Sequence, residues 1–191
     1  MGTGADPRLI QLFSYYRDAE LRGANLLMRL LNHVPDSDMQ VKLSLHLADE
    51  TRHAWLWTKR ITDLGGEPQL VGDGYQSRIG FKTVPRGLIE LLALTVVVEE
   101  RAHERYLEHA ARPGVDAETL QVLHEVTKDE KWHISWIRGK LFELAEAEGH
   151  KERADAALEK YREVDRQVYG ALLEKERETF GGDVAHAVAG N

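Results

Sequence analysis

The string Asp-Glu-x-x-His occurs twice, as Asp49-Glu50-Thr51-Arg52-His53 and as Asp129-Glu130-Lys131-Trp132-His133. Residues three apart on a helix share a face, so each string aims one carboxylate and one imidazole the same way, a turn apart. Such a pair can hold a metal ion if other donors meet it. With nine histidines in an acidic chain, roughly one Glu-x-x-His would arise by chance. Two copies in matching contexts call for helices that bring them together.

The apolar pattern supplies those helices. From Pro7 to about Leu31, Leu9, Phe13, Tyr16, Ala24, Leu27 and Leu31 recur at helical spacing, with Glu20 inside the stripe. Pro35 ends this helix, and Asp36 or Ser37 caps a second that runs to Leu64 with Leu43, Leu47, Glu50, Ala54, Trp57 and Ile61 on one side. Gly65-Gly66 and Pro68 stop it. The stretch from Gly65 to Pro85 shows no helical period; at about 3.3 Å per residue it can run the length of a bundle as a crossover. A third helix, from about Arg86 to Ala111, carries Leu88, Leu92, Thr95, Glu99, Ala102 and Tyr106 on one face. Counting about 100° per residue puts Glu99 at the centre of that face and Glu100 on its flank. A fourth helix, to about Glu148, carries Leu123, Val126, Glu130, His133, Ile137 and Leu141. Beyond Gly149 a fifth amphipathic helix has Ala157, Tyr161, Val164, Val168 and Ala171 on its stripe, for packing on the bundle or on a second copy. Residues 181–191 read as a frayed tail.

Length and composition bound the rest. At 191 residues the chain fits a single domain, with the bundle over 7–148 and the added helix over 150–180. It has no cysteine, which rules out disulfides, thiolate metal sites and a cysteine nucleophile. Met1 to Pro7 shows no basic stretch followed by an apolar run, and no segment is apolar enough for a membrane, so the expected location is the cytoplasm. The net charge of -7 argues against nucleic acid as a partner.

Two short turns and one long crossover make the first two helices antiparallel, the last two antiparallel, and the second and third parallel. Glu20 then lies about 12 residues before the first turn and Glu50 about 13 after it, roughly 18 to 20 Å along the axis. Glu99 and Glu130 stand in the same relation to the second turn, so all four carboxylates share one level. Solvated Glu and His on an open face would leave this coincidence unexplained. Three residues after each Glu, two helices place His53 and His133 and the other two place Gly23 and Ala102, small residues beside the imidazoles. One Glu from each of two helices plus Glu-x-x-His from the other two is the donor set of a carboxylate-bridged dimetal site. Four carboxylates and two divalent cations sum to zero charge, which answers why acids are buried.

In these features residues 7 to 148 resemble the ferritin-like di-iron carboxylate superfamily: an all-α, antiparallel four-helix bundle with one long crossover, here with a C-terminal fifth helix. The resemblance implies six metal ligands, Glu20, Glu50, His53, Glu99, Glu130 and His133, with two glutamates bridging two iron ions, or two manganese ions. The run Val98-Glu99-Glu100-Arg101-Ala102-His103-Glu104-Arg105-Tyr106 is locally similar to a helix of the di-iron tRNA hydroxylases. Asp49 and Asp129 are expected to hydrogen-bond the imidazoles across the bundle. His103 is expected as a hydrogen-bonded histidine at the helix seam, with an extra ligand or a donor behind the ligands as the alternatives, and Glu100 as the second choice for the third-helix ligand. Tyr16 and Tyr106 are candidates to gate the site or donate to a metal-bound oxygen, with ordinary core packing the leading reading, and Trp57 should pack beside the site. Trp55, Trp132 and Trp136 fall off the stripe, toward the fifth helix or another subunit; His33, His109, His150 and His186 are expected in solvent.

The leading function is a di-iron oxidoreductase that activates O₂ or peroxide, as a hydroxylase or monooxygenase on a small molecule near Phe13, Tyr16, Leu92, Trp57 and Tyr106, fed by an electron-donor protein. The alternative is a ferritin-like protein that oxidises iron for storage or detoxification, assembling as a homo-oligomer through the fifth helix. A rubrerythrin-like peroxidase ranks lower, because that branch carries an extra helix-three glutamate and often a cysteine-rich iron domain. A tRNA hydroxylase ranks lower because of the acidic charge. A bundle whose metals are purely structural would complete the range.

Overall fold

The computed structural model describes residues 6–180. They form six helices: α1 (Pro7–Leu31), α2 (Ser37–Asp63), α3 (Tyr75–Lys82), α4 (Leu88–Ala110), α5 (Ala117–Ala147) and α6 (Lys151–Phe180). Starts and stops follow local chemistry. Pro7 sits in the first turn of α1. Asp36 and Asp116 accept hydrogen bonds from the amides of Met39 and Thr119, three residues on, and so cap α2 and α5. Gly65 and Gly149 follow those helices at φ +77° and +72°, and the next amides bond back to the carbonyls of Ile61 and Ala145, closing both ends.

The apolar core is divided in two. One cluster holds Ile10, Phe13, Tyr16, Trp57, Ile61, Tyr106, Leu123 and Val126; the other is built around Leu27, Leu30, Leu43, Leu92, Ile137 and Leu141. Helices α1 and α5 begin in the first cluster and end in the second, while α2 and α4 run the other way. That order makes α2 and α4 parallel and each short-turn pair antiparallel, the expected topology. All four pass the level of Glu20, Glu50, Glu99 and Glu130 between the clusters.

The crossover differs from its expected form. It contains α3, a little over two turns long, whose Tyr75 and Ile79 are buried four residues apart. Two apolar positions with Gly80 beside them give too short a period to stand out in sequence. Helix α6 lies on α4, α3 and α5. Up to residue 174 its buried residues are Ala154, Ala157, Leu158, Tyr161, Asp165, Val168 and Leu172, whereas Ala171 is exposed. Over 154–172 the apolar stripe of α6 is therefore covered by its own chain. Among the described residues no helix is long and apolar enough to cross a membrane. The expected tail and His186 lie outside the described residues.

Candidate metal centre

Glu20, Glu50, Glu99 and Glu130 are all nearly inaccessible, and His53 and His133 are fully buried between them. Burying ions costs several kcal/mol each unless opposite charge and donors compensate, so four such carboxylates at one level require a reason. Two groups of donor atoms form there. Glu20, Glu50, His53 and Glu130 make one; Glu50, Glu99, His133 and a histidine not expected from sequence, His46, make the other. Glu50 belongs to both. Glu130 also faces both imidazoles, 3.5 Å from His53 Nδ1 and 3.4 Å from His133 Nδ1.

The imidazoles of His53 and His133 are turned alike. Nε2 of His53 lies 3.2 Å from Asp129 Oδ2, and Nε2 of His133 lies 3.3 Å from Asp49 Oδ2. Each carboxylate reaches across between α2 and α5 to accept from Nε2, so that Nδ1 is the ring atom that faces inward. Arg52 ties the arrangement together by donating to Asp129, Asp49 and Glu125 at once. The matching position of the second string is Trp132, so this clamp has no twin. Tyr106 Oη donates to Glu20 Oε1.

At Gly23 an added Cβ would run into Glu50 Oε2. The glycine thus makes room for a carboxylate, where the sequence suggested room for an imidazole.

No protein-family model matches the chain, and no curated protein does. Among solved structures it is similar to the bacterioferritin-related protein from Bacteroides fragilis, described as a dodecameric thioferritin. The TM-score is 0.62 and the identity 22%, over 76% of this chain and 92% of that one. The fold is ferritin-like.

Within this ferritin-like bundle, the inward atoms fit a pair of cations. His53 Nδ1, His133 Nδ1, Glu50 Oε1, both carboxylate oxygens of Glu130 and both ring nitrogens of His46 are buried without a hydrogen bond. Natural cores rarely leave so many polar atoms unpaired in one place. Their spacings of 3.4 Å, 3.5 Å and 3.7 Å exceed those of well-made hydrogen bonds. They fall between the roughly 3.0 and 4.2 Å that separate adjacent and opposite donors each about 2.1 Å from one ion.

Charge points the same way. Burial, and then the charges of Glu99, Glu20 and Glu130, push Glu50 well above the usual carboxylate range. Burial and Glu130 also raise Glu99. Burial opposes a charge on His53, but Glu130 and Glu20 outweigh it and hold its proton up to about 11. Burial would raise Glu130, yet His133 and His53 bring it down to about 2. Protons and cations compete for the same layer.

Other expected residues sit elsewhere. Glu100 turns away and pairs with Arg138 and Arg162, joining α4 to α5 and α6. His103 is half-buried, belongs to neither donor group, and its Nε2 makes no hydrogen bond, unlike the bonded seam histidine expected. His109, expected in solvent, is buried against Tyr16, whose hydroxyl lies 3.2 Å from its Nδ1. Burial, with Arg112 and Arg105 nearby, lowers its pKa to about 4. Trp132 and Trp136 meet the His46 ring edge-on, with centroids 6.4 and 5.9 Å away, and Trp55 is exposed.

The region assigned to an organic substrate is filled. Phe13, Tyr16, Trp57 and Tyr106 pack ring against ring at 4.9 to 5.7 Å, all buried, and Leu92 belongs to the other cluster. Beside Tyr16, Ala102 and Tyr106 lies a cavity of about 30 Å³. That is room for roughly two water-sized molecules.

Proposed function

We propose that this chain binds two iron ions in the ferritin-like bundle and oxidises Fe²⁺ with O₂ or peroxide, as an iron-handling protein of the storage or detoxification kind. The observation that carries the reading is the pair of buried donor groups sharing Glu50. The relative described as a thioferritin supports the iron-handling form over the hydroxylase form. So does the filled aromatic region, since the cavity of about 30 Å³ beside Tyr16 and Tyr106 suits a small oxidant better than an organic substrate.

Glu20, Glu50, Glu99, Glu130, His53 and His133 would hold the ions, with Glu50 common to both donor groups. Two Fe²⁺ ions would give one electron each to O₂, which takes up two protons and leaves as hydrogen peroxide. Asp49 and Asp129 keep the two imidazole lone pairs aimed inward. The Tyr106 hydroxyl fixes one oxygen of Glu20, and the packed rings around it keep bulk water out. Manganese meets the same oxygen-rich donors, and competition between the two metals decides which is held.

Metal content of the full chain, loaded with Fe²⁺ without air, should be two per chain. Admitting O₂ should consume about one O₂ per two irons without any organic substrate. Glu50→Ala, which removes the shared donor, should bind fewer than two. A wild-type count below two, or two ions retained in Glu50→Ala, would overturn the assignment; oxygen uptake only with an added organic compound would favour the hydroxylase reading. The relative, described as dodecameric, suggests a homo-oligomer here too. Val41, Leu45 and Trp55, exposed within about 80° on α2, offer it an apolar face.

A further inference from the structure

We infer that His46 is a seventh ligand of the dimetal centre, and that it makes the two ion positions chemically unequal. The inference rests on the dimetal reading above. His46 is fully buried one turn before Glu50, and the spacing 46, 50, 53 puts it on the same helix face as Glu50 and His53. Its Nε2 lies 3.4 Å from Glu50 Oε1 and 3.4 Å from Glu99 Oε1. The nitrogen is centred between the two carboxylates and bonded to neither. A histidine kept only for packing would satisfy its ring N–H with a near neighbour.

The ring is held by aromatic contacts where His53 and His133 are held by carboxylates. It stacks on His133 with centroids 3.6 Å apart and planes 24° apart, and Trp132 and Trp136 meet it at 75° and 86°. Helix α2 thus supplies two imidazoles and α5 supplies one, with the tryptophans of α5 in the complementary place.

The result is asymmetry. One position has His46, His133, Glu99 and the shared Glu50: two imidazoles and two carboxylates. The other has His53 with Glu20, Glu130 and Glu50: one imidazole and three carboxylates. Imidazole favours Fe²⁺, Co²⁺ and Zn²⁺ relative to Mn²⁺, and carboxylate-rich sets suit Mn²⁺ better. The two positions should therefore fill in order with Co²⁺ and discriminate differently between Co²⁺ and Mn²⁺.

The test is a calorimetric titration of the metal-free full chain with Co²⁺ in the absence of air, together with a crystal structure of the Co²⁺-loaded wild type. Two unequal steps are expected. His46→Phe keeps a ring to stack on His133 but has no donor; it should weaken one step by at least about 10-fold and leave the other unchanged. In the wild-type crystal a His46 nitrogen should lie within roughly 2.3 Å of an ion. Two bound ions with His46 clear of both would overturn the inference and leave the proposed function standing. Fewer than two ions in the wild type would overturn both. The wild-type crystal decides the matter even if His46→Phe does not fold.

Discussion

Gly23 separates the cost of folding from the cost of binding. Gly23→Ala removes a flexible residue from the middle of α1, which alone is worth about 1 kcal/mol to the helix. The new methyl group displaces only the end of the Glu50 side chain. The metal-free variant should thus melt no lower than wild type, while its affinity for the second ion falls by about 10-fold or more; calorimetry and a metal titration on one preparation check both. That Glu20, Glu50, His53, Glu99, Glu130 and His133 meet at one level was legible in sequence because a repeated string and a shared height both pick them out. His46 was not, because it has no carboxylate three residues before it and so lies outside the Glu-x-x-His pattern. Its signal was the spacing 46, 50, 53 on a buried stripe. His109 was misplaced for a related reason: burial of a histidine depends on a partner from another helix, Tyr16, which spacing along α4 cannot reveal.

At the scale of elements, the four long helices and their order could be read from apolar period and stop signals, to within a residue or two at most ends. What could not be read was held by single polar contacts between distant segments. Asp165 of α6 is buried, accepts from Tyr75 of α3 at 2.6 Å, and pairs with Arg101 of α4 at 2.6 Å. Asp165 lies on the buried face, which runs through Tyr161, Asp165, Val168 and Leu172 and so leaves out Ala171, the position expected from the apolar spacing. Asp165→Ala leaves Arg101 and the Tyr75 hydroxyl short of a partner, and should lower stability by about 2 to 3 kcal/mol in denaturant unfolding with metal content unchanged. Arg52 acts between elements in the opposite sense. It touches both Asp49 and Asp129, so Arg52→Ala should loosen both imidazoles at once and weaken both ions by about 10-fold, whereas Asp129→Ala should act mainly through His53. Equal binding by wild type and Arg52→Ala would show that the clamp does not orient the ligands.

For the whole molecule, pH acts on the metal-free chain from both sides. Glu50 and His53 have raised values in the folded state, so the stability they contribute is present at low pH and lost as pH rises through those values. Glu130 and His109 have lowered values, about 2 and about 4, so their contribution is present near neutrality. That of His109 is lost as pH falls from its ordinary 6.5 through about 4, and that of Glu130 below its ordinary 4.5. The melting temperature of the metal-free chain should peak between these limits and fall on both sides. Loading with cations displaces protons, so the alkaline fall should vanish and ion affinity should rise with pH. The divided core has a consequence for cooperativity. The two apolar clusters lie on either side of the layer of buried Glu and His, so their unfolding is expected to be coupled less tightly in the metal-free chain than in the loaded one. The loaded chain should unfold in one transition, with calorimetric and van't Hoff enthalpies equal; the metal-free chain should show a van't Hoff enthalpy clearly below the calorimetric one.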